Sequence, residues 1–132
     1  MKFQLLFNSS RQFSWRLIAS NSLIIAVGVE SYGTKAECRR AIDFVIGASA
    51  PQFLVYQDFQ QLWRWRLRAS SGEVVGISGE TYVTRKEALE SAALAAASNK
   101  NTPIEELHDS GAMRAIRPAS TTAPPAMRTP SK

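Results

Sequence analysis

The chain contains an internal duplication, and this feature constrains its fold more than any other. Residues 3–49 and 53–99 align at a constant offset of 50 without a gap, and ten of the 47 aligned pairs are identical. The identities cluster: Trp15-Arg16-Leu17 aligns with Trp65-Arg66-Leu67, and Thr34 and Glu37 align with Thr84 and Glu87. Self-similarity at a fixed period indicates a repeat architecture. We therefore predict one structural unit present twice.

Each repeat begins with three segments typical of β-strands. In the first copy they are residues 3–7, 12–19 and 23–29, separated by turn-prone Asn and Ser residues. The pattern is clearer in the second copy, where Trp63, Trp65 and Leu67 alternate with three arginines and Ser71-Gly72 provides a hairpin turn before the strand at residues 73–78. Alternation with period two followed by a short turn predicts an antiparallel hairpin.

A helix follows the third strand in each repeat. Thr34–Glu37 and Thr84–Glu87 both match the capping box, in which the threonine hydroxyl and the glutamate carboxylate satisfy free backbone N–H groups. The expected buried face of the first helix is Cys38, Ala41, Ile42 and Val45, and that of the second is Ala88, Leu89, Ala92 and Ala96. We predict an α+β fold: a tandem duplication of a β-β-β-α unit that forms one antiparallel sheet with two helices packed on one face.

The composition changes near residue 107. Residues 1–107 form the predicted single domain, with a closing segment at 103–107. Residues 108–132 are rich in Pro, Ser, Thr and Ala, so we predict a disordered C-terminal tail. The net charge of +5 is divided unequally: +3 lies in residues 108–132 and only +2 in residues 1–107. The predicted domain is therefore close to neutral.

The repeated residues resemble the YegP-like family, bacterial tandem-repeat domains of unknown function. The resemblance rests on two blocks in each copy. The first block is Phe13–Asn21 and Trp65–Val75, and the second is Glu30-Ser31-Tyr32 and Glu80-Thr81-Tyr82. It covers about residues 3–107 and includes Pro103–Leu107, which is similar to a short segment after the second repeat of tandem members. It implies a single antiparallel sheet built by both repeats, with strands exchanged between them, and it implies no activity.

The sequence offers little for catalysis. His108 is the only histidine and lies at the start of the predicted tail, while Cys38, the only cysteine, lies on the predicted buried face of a helix. One Cys and one His do not make a metal site, and the glycines do not form a phosphate-binding loop. We therefore predict a protein that is not an enzyme, with no catalytic residue, metal or cofactor.

Four arginines are the candidate functional residues. If Trp63, Trp65 and Leu67 face the helices, the arginines between them project from the opposite face of the sheet, joined by one from the first repeat. They are Arg16, Arg64, Arg66 and Arg68. One interpretation is a solvated face, where arginines pair with acids such as Glu73 or Glu80. The alternative is a site for nucleic acid or another polyanion, because guanidinium groups suit phosphates. A third is a protein partner or self-association through a face or edge of the sheet.

The functional prediction is accordingly broad. We expect an unknown function as a non-catalytic binding or accessory module of bacterial type, with polyanion binding through the arginine face and basic tail as the alternative. A cytoplasmic location is the default for a chain with one cysteine. No apolar run reaches the length of a membrane span, so we expect no membrane partner.

Overall fold

The computed structural model describes residues 1–108, so the predicted tail lies outside the described residues except for His108. The first repeat contains three strands and a helix, and the second repeats this order before a closing strand. The elements are β1 (Lys2–Phe7), β2 (Phe13–Ile18), β3 (Ile24–Gly28), α1 (Lys35–Gly47), a short 3-10 helix (Ala50–Gln52), β4 (Phe53–Gln57), β5 (Trp63–Arg68), β6 (Val74–Ser78), α2 (Arg85–Ala96) and β7 (Ile104–His108). The β-β-β-α unit is present twice, as predicted.

All seven strands form one sheet in the order β4-β5-β6-β3-β2-β1-β7. The repeats meet where β3 pairs antiparallel with β6, and five of the six strand pairs are antiparallel. The closing strand β7 pairs parallel with β1, which makes the sheet mixed. The predicted α+β fold is confirmed, with this parallel pair as an addition. The strand exchange that the resemblance implied is limited to β7, which follows the second repeat and pairs with β1 of the first. The three strands of each repeat are otherwise neighbours.

Both helices pack on the same face of the sheet. The buried face of α1 is Cys38, Ala41, Ile42 and Val45, as predicted. The prediction for α2 is partly wrong, because Leu89 is 42% exposed and Ala96 only half-buried. Ser91 and Ala95 are buried instead. The apolar pattern missed Ser91 because it is polar. The capping boxes are confirmed at both helix starts, where Thr34 and Thr84 each accept from the backbone N–H of the glutamate three residues on.

Trp15 occupies the centre of the helix-facing side. Its ring lies over Gly28 of β3 and Gly76 of β6, the two strands that join the repeats. A Cβ atom at Gly28 would lie 2.5 Å from Trp15 Nε1, and one at Gly76 would lie 3.0 Å from the far edge of the ring. The two glycines therefore create the space for an indole ring that is 2% exposed.

Trp65, the equivalent of Trp15 in the second repeat, is held by a hydrogen bond. Its Nε1–H donates to Ser91 Oγ over 3.0 Å, and the Tyr82 hydroxyl donates to the same oxygen over 2.8 Å. The position equivalent to Ser91 is Ala41, and the buried Nε1 of Trp15 has no well-formed hydrogen bond among residues 1–108. Within the described residues, the indole nitrogen is therefore hydrogen-bonded to a serine in the second repeat and lacks that acceptor in the first.

Candidate binding face and open sheet edge

The sheet face opposite the helices carries one continuous row of side chains across all seven strands. Each neighbouring pair in the row is a registered cross-strand pair. The order is Leu54, Arg66, Ile77, Val27, Arg16, Gln4 and Glu105. The row is pseudosymmetric about its central Val27–Ile77 pair. Two arginines flank that pair, one from each repeat, as expected for equivalent positions.

Arg64 lies on the same face and forms an ion pair that the sequence did not suggest. Its Nε–H donates to Asp58 Oδ2 over 2.8 Å, whereas the expected partners were Glu73 and Glu80. The other oxygen of Asp58 accepts from the backbone N–H groups of Gln60 and Leu62. Burial by itself raises the pKa of Asp58. The hydrogen bonds from Arg64 and from the backbone lower the pKa by more than burial raises it, so the pKa lies below its usual value.

The remaining arginines differ in their surroundings. Arg16 donates from Nε to Gln4 Oε1 over 2.6 Å. The guanidinium carbon of Arg66 lies 4.4 Å from the centre of the Tyr56 ring, which is a cation–π contact. Arg66 Nε is buried and has no hydrogen-bond partner within residues 1–108. Arg68 is exposed at the end of β5. The structure therefore brings the predicted arginines to one face, where Arg66 alone has an unsatisfied buried donor.

The two edges of the sheet differ in a way that the sequence pattern did not reveal. One edge is β7, which carries two carboxylates, Glu105 and Glu106. The other edge is β4, whose five residues, Phe53–Gln57, include no charged residue and no proline. Charges and prolines are the usual means by which edge strands avoid pairing with other chains. The outer side of β4 is thus an unprotected strand edge, and no strand pairs with it in the part of the chain that the structure describes.

The equivalent side of β1 is covered. Phe3 N–H donates to the Pro103 carbonyl over 2.8 Å, so the backbone groups of Phe3 and of every second residue after it face β7. At the offset of 50, the corresponding groups in β4 that face outward are those of Val55 and Gln57. The N–H of Phe53, the equivalent of Phe3, donates instead to the Ala50 carbonyl, so the repeat presents most of the same backbone surface twice. Within residues 1–108, β7 covers that surface on β1 and no strand covers it on β4.

Two clefts lie on the helix-facing side. One, of about 350 Å³, lies between α1 and the β1–β7 pair and is lined by Phe7, Lys35, Glu106 and His108 among others. The ring of His108 packs edge-on against Phe7 at the end of β7, one residue beyond the predicted closing segment. The other cleft, of about 280 Å³, lies beside α2 near Glu80, Glu87, Glu90 and Ser91. Partial burial raises the pKa of Glu80.

Within residues 1–108 no group of three metal-ligating side chains converges, and no helix there has the length and apolar character to cross a membrane.

Cys38 should be chemically inert in the folded protein. It is fully buried, and burial raises the pKa of its thiol to about 11. Because the thiolate is the nucleophile, its reaction with iodoacetamide at pH 8 should be at least about 100-fold slower in the native protein than in urea-denatured protein. Mass spectrometry of quenched samples measures both rates. Equal rates in the two states would contradict the buried position of Cys38.

These features define the class of protein: a tandem-repeat α+β protein with a continuous seven-stranded sheet, helices on one face and arginines on the other. The chain belongs to the family described as Domain of unknown function (DUF1508), whose model matches it twice, at residues 8–52 and 60–106. The structure is similar to that of yegP, a protein of unknown function from E. coli, with a TM-score of 0.72 and 22% identity over 83% of this chain and 94% of that one. It is also similar to a UPF0339 protein from Shewanella oneidensis, with a TM-score of 0.71 and 20% identity over 81% and 91%. No curated protein matches the sequence.

The family membership confirms the resemblance drawn from the repeated residues, and it leaves the biochemical function unknown. Sequence reasoning located the arginine face but missed Gln4, Asp58 and Tyr56, which contact those arginines. The strand registers that bring these residues together are not evident from composition. One signal was present for Asp58: its position matches Asn8, whose side chain caps the same turn in the first repeat.

Proposed function

We propose that the chain is a non-catalytic, cytoplasmic binding module of bacterial type whose partner is another polypeptide, bound at the outer edge of β4. The observation that carries this proposal is the contrast between β1 and β4. Equivalent strands present largely equivalent backbone groups, yet among residues 1–108 only β1 has a neighbouring strand on its outer side. Addition of a strand to an exposed edge is a common mode of peptide recognition, in which main-chain hydrogen bonds supply affinity.

Further support comes from the composition of β4. Leu54, on the face opposite the helices, is 42% exposed. An uncharged edge strand with an exposed leucine is a liability unless something covers it. The buried thiol of Cys38 and the lack of converging metal ligands in residues 1–108 favour binding over catalysis.

Site-specific photo-cross-linking in cells tests this proposal. A photoreactive residue at position 54 should give a discrete protein adduct, whereas one at position 89 should not. Leu89 is the matched control because it is also a leucine with 42% of its surface exposed, but it lies on α2. In the position-54 protein, Gln57→Pro should abolish the adduct, because it removes an outward N–H group from the edge. Gln57→Ala should preserve it. Equal adducts at both positions, or adducts that survive Gln57→Pro, would refute the proposal.

A second candidate is polyanion binding by Arg16, Arg64, Arg66 and Arg68 together with the basic tail. The specific observations in its favour are the unsatisfied Nε of Arg66 and the exposure of Arg68. The ion pair of Arg64 with Asp58 weighs against it, since it neutralises one of the four cations. Retention of the chain on heparin or labelled single-stranded DNA at about 0.15 M salt, lost when the four arginines are replaced by Ser, would support it. Gln57→Pro should not affect that retention, which separates the two candidates.

A further inference from the structure

The pairing of β7 with β1 shows how this fold recognises a strand at its edge. Glu105 of β7 accepts a hydrogen bond from Gln4 Nε2 over 2.9 Å and forms an ion pair with Lys2 Nζ at 3.0 Å. Gln4 is held in turn by Arg16, which donates to its other amide atom. Arg16, on the sheet face opposite the helices, is therefore linked to the Glu105 carboxylate of β7 through the side chain of Gln4.

The next residue of β7 is recognised on the opposite face. Glu106 Oε1 lies 2.7 Å from Lys35 Nζ, and Lys35 is the first residue of α1. Adjacent residues of a strand point to opposite faces of a sheet. The Glu105-Glu106 pair thus places one carboxylate beside the open face and the other beside the start of the helix, and each meets a cation.

The second repeat keeps the equivalents of Arg16 and Lys35, and no strand of residues 1–108 lies beside them at the β4 edge. Arg66 is equivalent to Arg16, and Arg85, the first residue of α2, is equivalent to Lys35. Two other members of the first site are replaced: Gln4 by Leu54 and Lys2 by Gln52. Because Leu54 has no hydrogen-bonding group, it cannot hold the arginine as Gln4 does, which accounts for the unsatisfied Nε of Arg66. The β4 edge therefore has two of the three cations of the β1 site, Arg66 and Arg85, and within residues 1–108 no carboxylate of an added strand faces them.

A second copy of the chain fits this edge poorly. Two β4 strands paired with each other would bring the arginine-rich faces of both β5 strands to one side, where like charges repel. The β7 strand of a second copy is already held by Lys2 and Lys35 of its own chain. Residues 109–132 contain only one acidic residue, Asp109, so the chain's own C-terminal segment has no adjacent pair of carboxylates. Charge complementarity favours a different polypeptide.

We propose that the β4 edge binds, parallel to β4, an extended segment of another protein that carries two adjacent carboxylates, one contacting Arg66 and the other Arg85. This inference rests on the proposed function and adds the orientation and the chemistry of the partner. The expected pattern is an apolar residue, two acidic residues and another apolar residue, as in Ile104–Leu107 of β7.

Fluorescence anisotropy with a labelled peptide tests the proposal on the full chain. The probe is the acetylated peptide Thr-Pro-Ile-Glu-Glu-Leu-His, the sequence of residues 102–108. It should bind saturably, and the same peptide with both glutamates replaced by glutamine should bind about tenfold or more weakly. Arg66→Gln should weaken binding about tenfold, and Arg85→Gln, at an exposed position, about threefold. Lys86→Gln is the matched control, because it removes the same charge one residue further along α2 and should have no effect.

Two variants make the test directional. Leu54→Gln restores the glutamine of the first site and should tighten binding severalfold. Arg66→Glu should reverse the preference, so that a peptide with Lys at the first acidic position binds better than the original. If Lys86→Gln weakens binding as much as Arg85→Gln, or if Arg66→Glu leaves the preference unchanged, the assignment of the carboxylate contacts is wrong.

Backbone NMR shifts identify the edge that the peptide occupies. Perturbations centred on Val55–Gln57 support the proposal, whereas perturbations centred on β1 mean that the peptide displaces β7 and overturn it. A concentration-dependent oligomer lost in Gln57→Pro would overturn it in favour of a second copy. If the acidic peptide fails to bind while the cross-link at position 54 persists, the carboxylate chemistry fails and the polypeptide-binding function stands. If both fail, the proposed function fails as well.

Discussion

Replacement of Gly28 by alanine should lower the free energy of unfolding by about 3 kcal/mol, because the added methyl group would overlap a buried indole. The new Cβ would lie 2.5 Å from Trp15 Nε1 and 2.9 Å from Cδ1, well inside contact distance. The indole has little room to move aside, because it is buried and even a Cβ atom added at Gly76 would lie only 3.0 Å from its far edge. Urea denaturation followed by tryptophan fluorescence measures the change.

Gly47→Ala is the control for the Gly28 substitution. Gly47 is the last residue of α1, and a Cβ added there would meet no atom within 4 Å. Alanine is the better helix former, so this variant should be as stable as the parent or more stable by up to about 1 kcal/mol. A Gly28→Ala protein that unfolds at the same urea concentration as Gly47→Ala would contradict the position of Trp15 over the junction of the repeats.

Ser91→Ala should lower the free energy of unfolding by about 1–3 kcal/mol, although it removes only one oxygen atom. That oxygen accepts hydrogen bonds from Trp65 Nε1 and from the Tyr82 hydroxyl. Trp65 is buried, so its donor would lose its acceptor without gaining access to water. If Ser91→Ala lowers the free energy of unfolding no more than Ser71→Ala, which replaces an exposed serine, the hydrogen bonds to Ser91 contribute little to stability.

The first repeat permits the reverse experiment. Ala41 is equivalent to Ser91, and Trp15 Nε1 is buried with no well-formed hydrogen bond within residues 1–108, although the Tyr32 side chain interacts with it. Ala41→Ser should therefore stabilise the protein by about 1 kcal/mol by supplying the missing acceptor. Stabilisation by Ala41→Ser together with destabilisation by Ser91→Ala would establish that a serine at this helix position satisfies the buried indole. Destabilisation by both would mean that the two indoles differ in orientation as well as in partners.

The elements of the fold followed from the sequence because each depends on local chemistry. The capping boxes at Thr34 and Thr84, the alternation in β5 and the turn at Ser71-Gly72 act over a few residues, and the duplication allowed each to be recognised twice. The parallel pairing of β7 with β1 joins residues about 100 positions apart. No local pattern distinguishes that pairing from an antiparallel one, so it could be found only from the structure.

The candidate site was predictable to the same extent. Alternation placed the arginines on one face, but their individual roles depend on register. Leu54 and Gln4 occupy equivalent places in the two repeats. Only the strand registers reveal that Gln4 lies between Arg16 and Glu105. Leu54 lies beside Arg66 at the outer edge of the sheet. Likewise, the ion pair between Arg64 and Asp58 depends on the path of the turn between β4 and β5, which the sequence pattern does not reveal. Sequence identified the charged residues, and the chain path determined which of them meet.

The antiparallel β3–β6 pair at the centre of the sheet has a consequence for how such a protein can be assembled. Val27 pairs with its equivalent, Ile77, at the centre of the ladder. The flanking pairs, Ala26 with Ser78 and Gly28 with Gly76, are interchanged when the two repeats are exchanged, as expected about a local two-fold axis. A surface that meets its own copy in this way is self-complementary, which is the arrangement of a symmetric dimer. A chain with only one β-β-β-α unit would expose β3 as an edge and could bury it against a second such chain through the same ladder. The linker at residues 48–52 then acts as a covalent tether that replaces a concentration-dependent association with an intramolecular one.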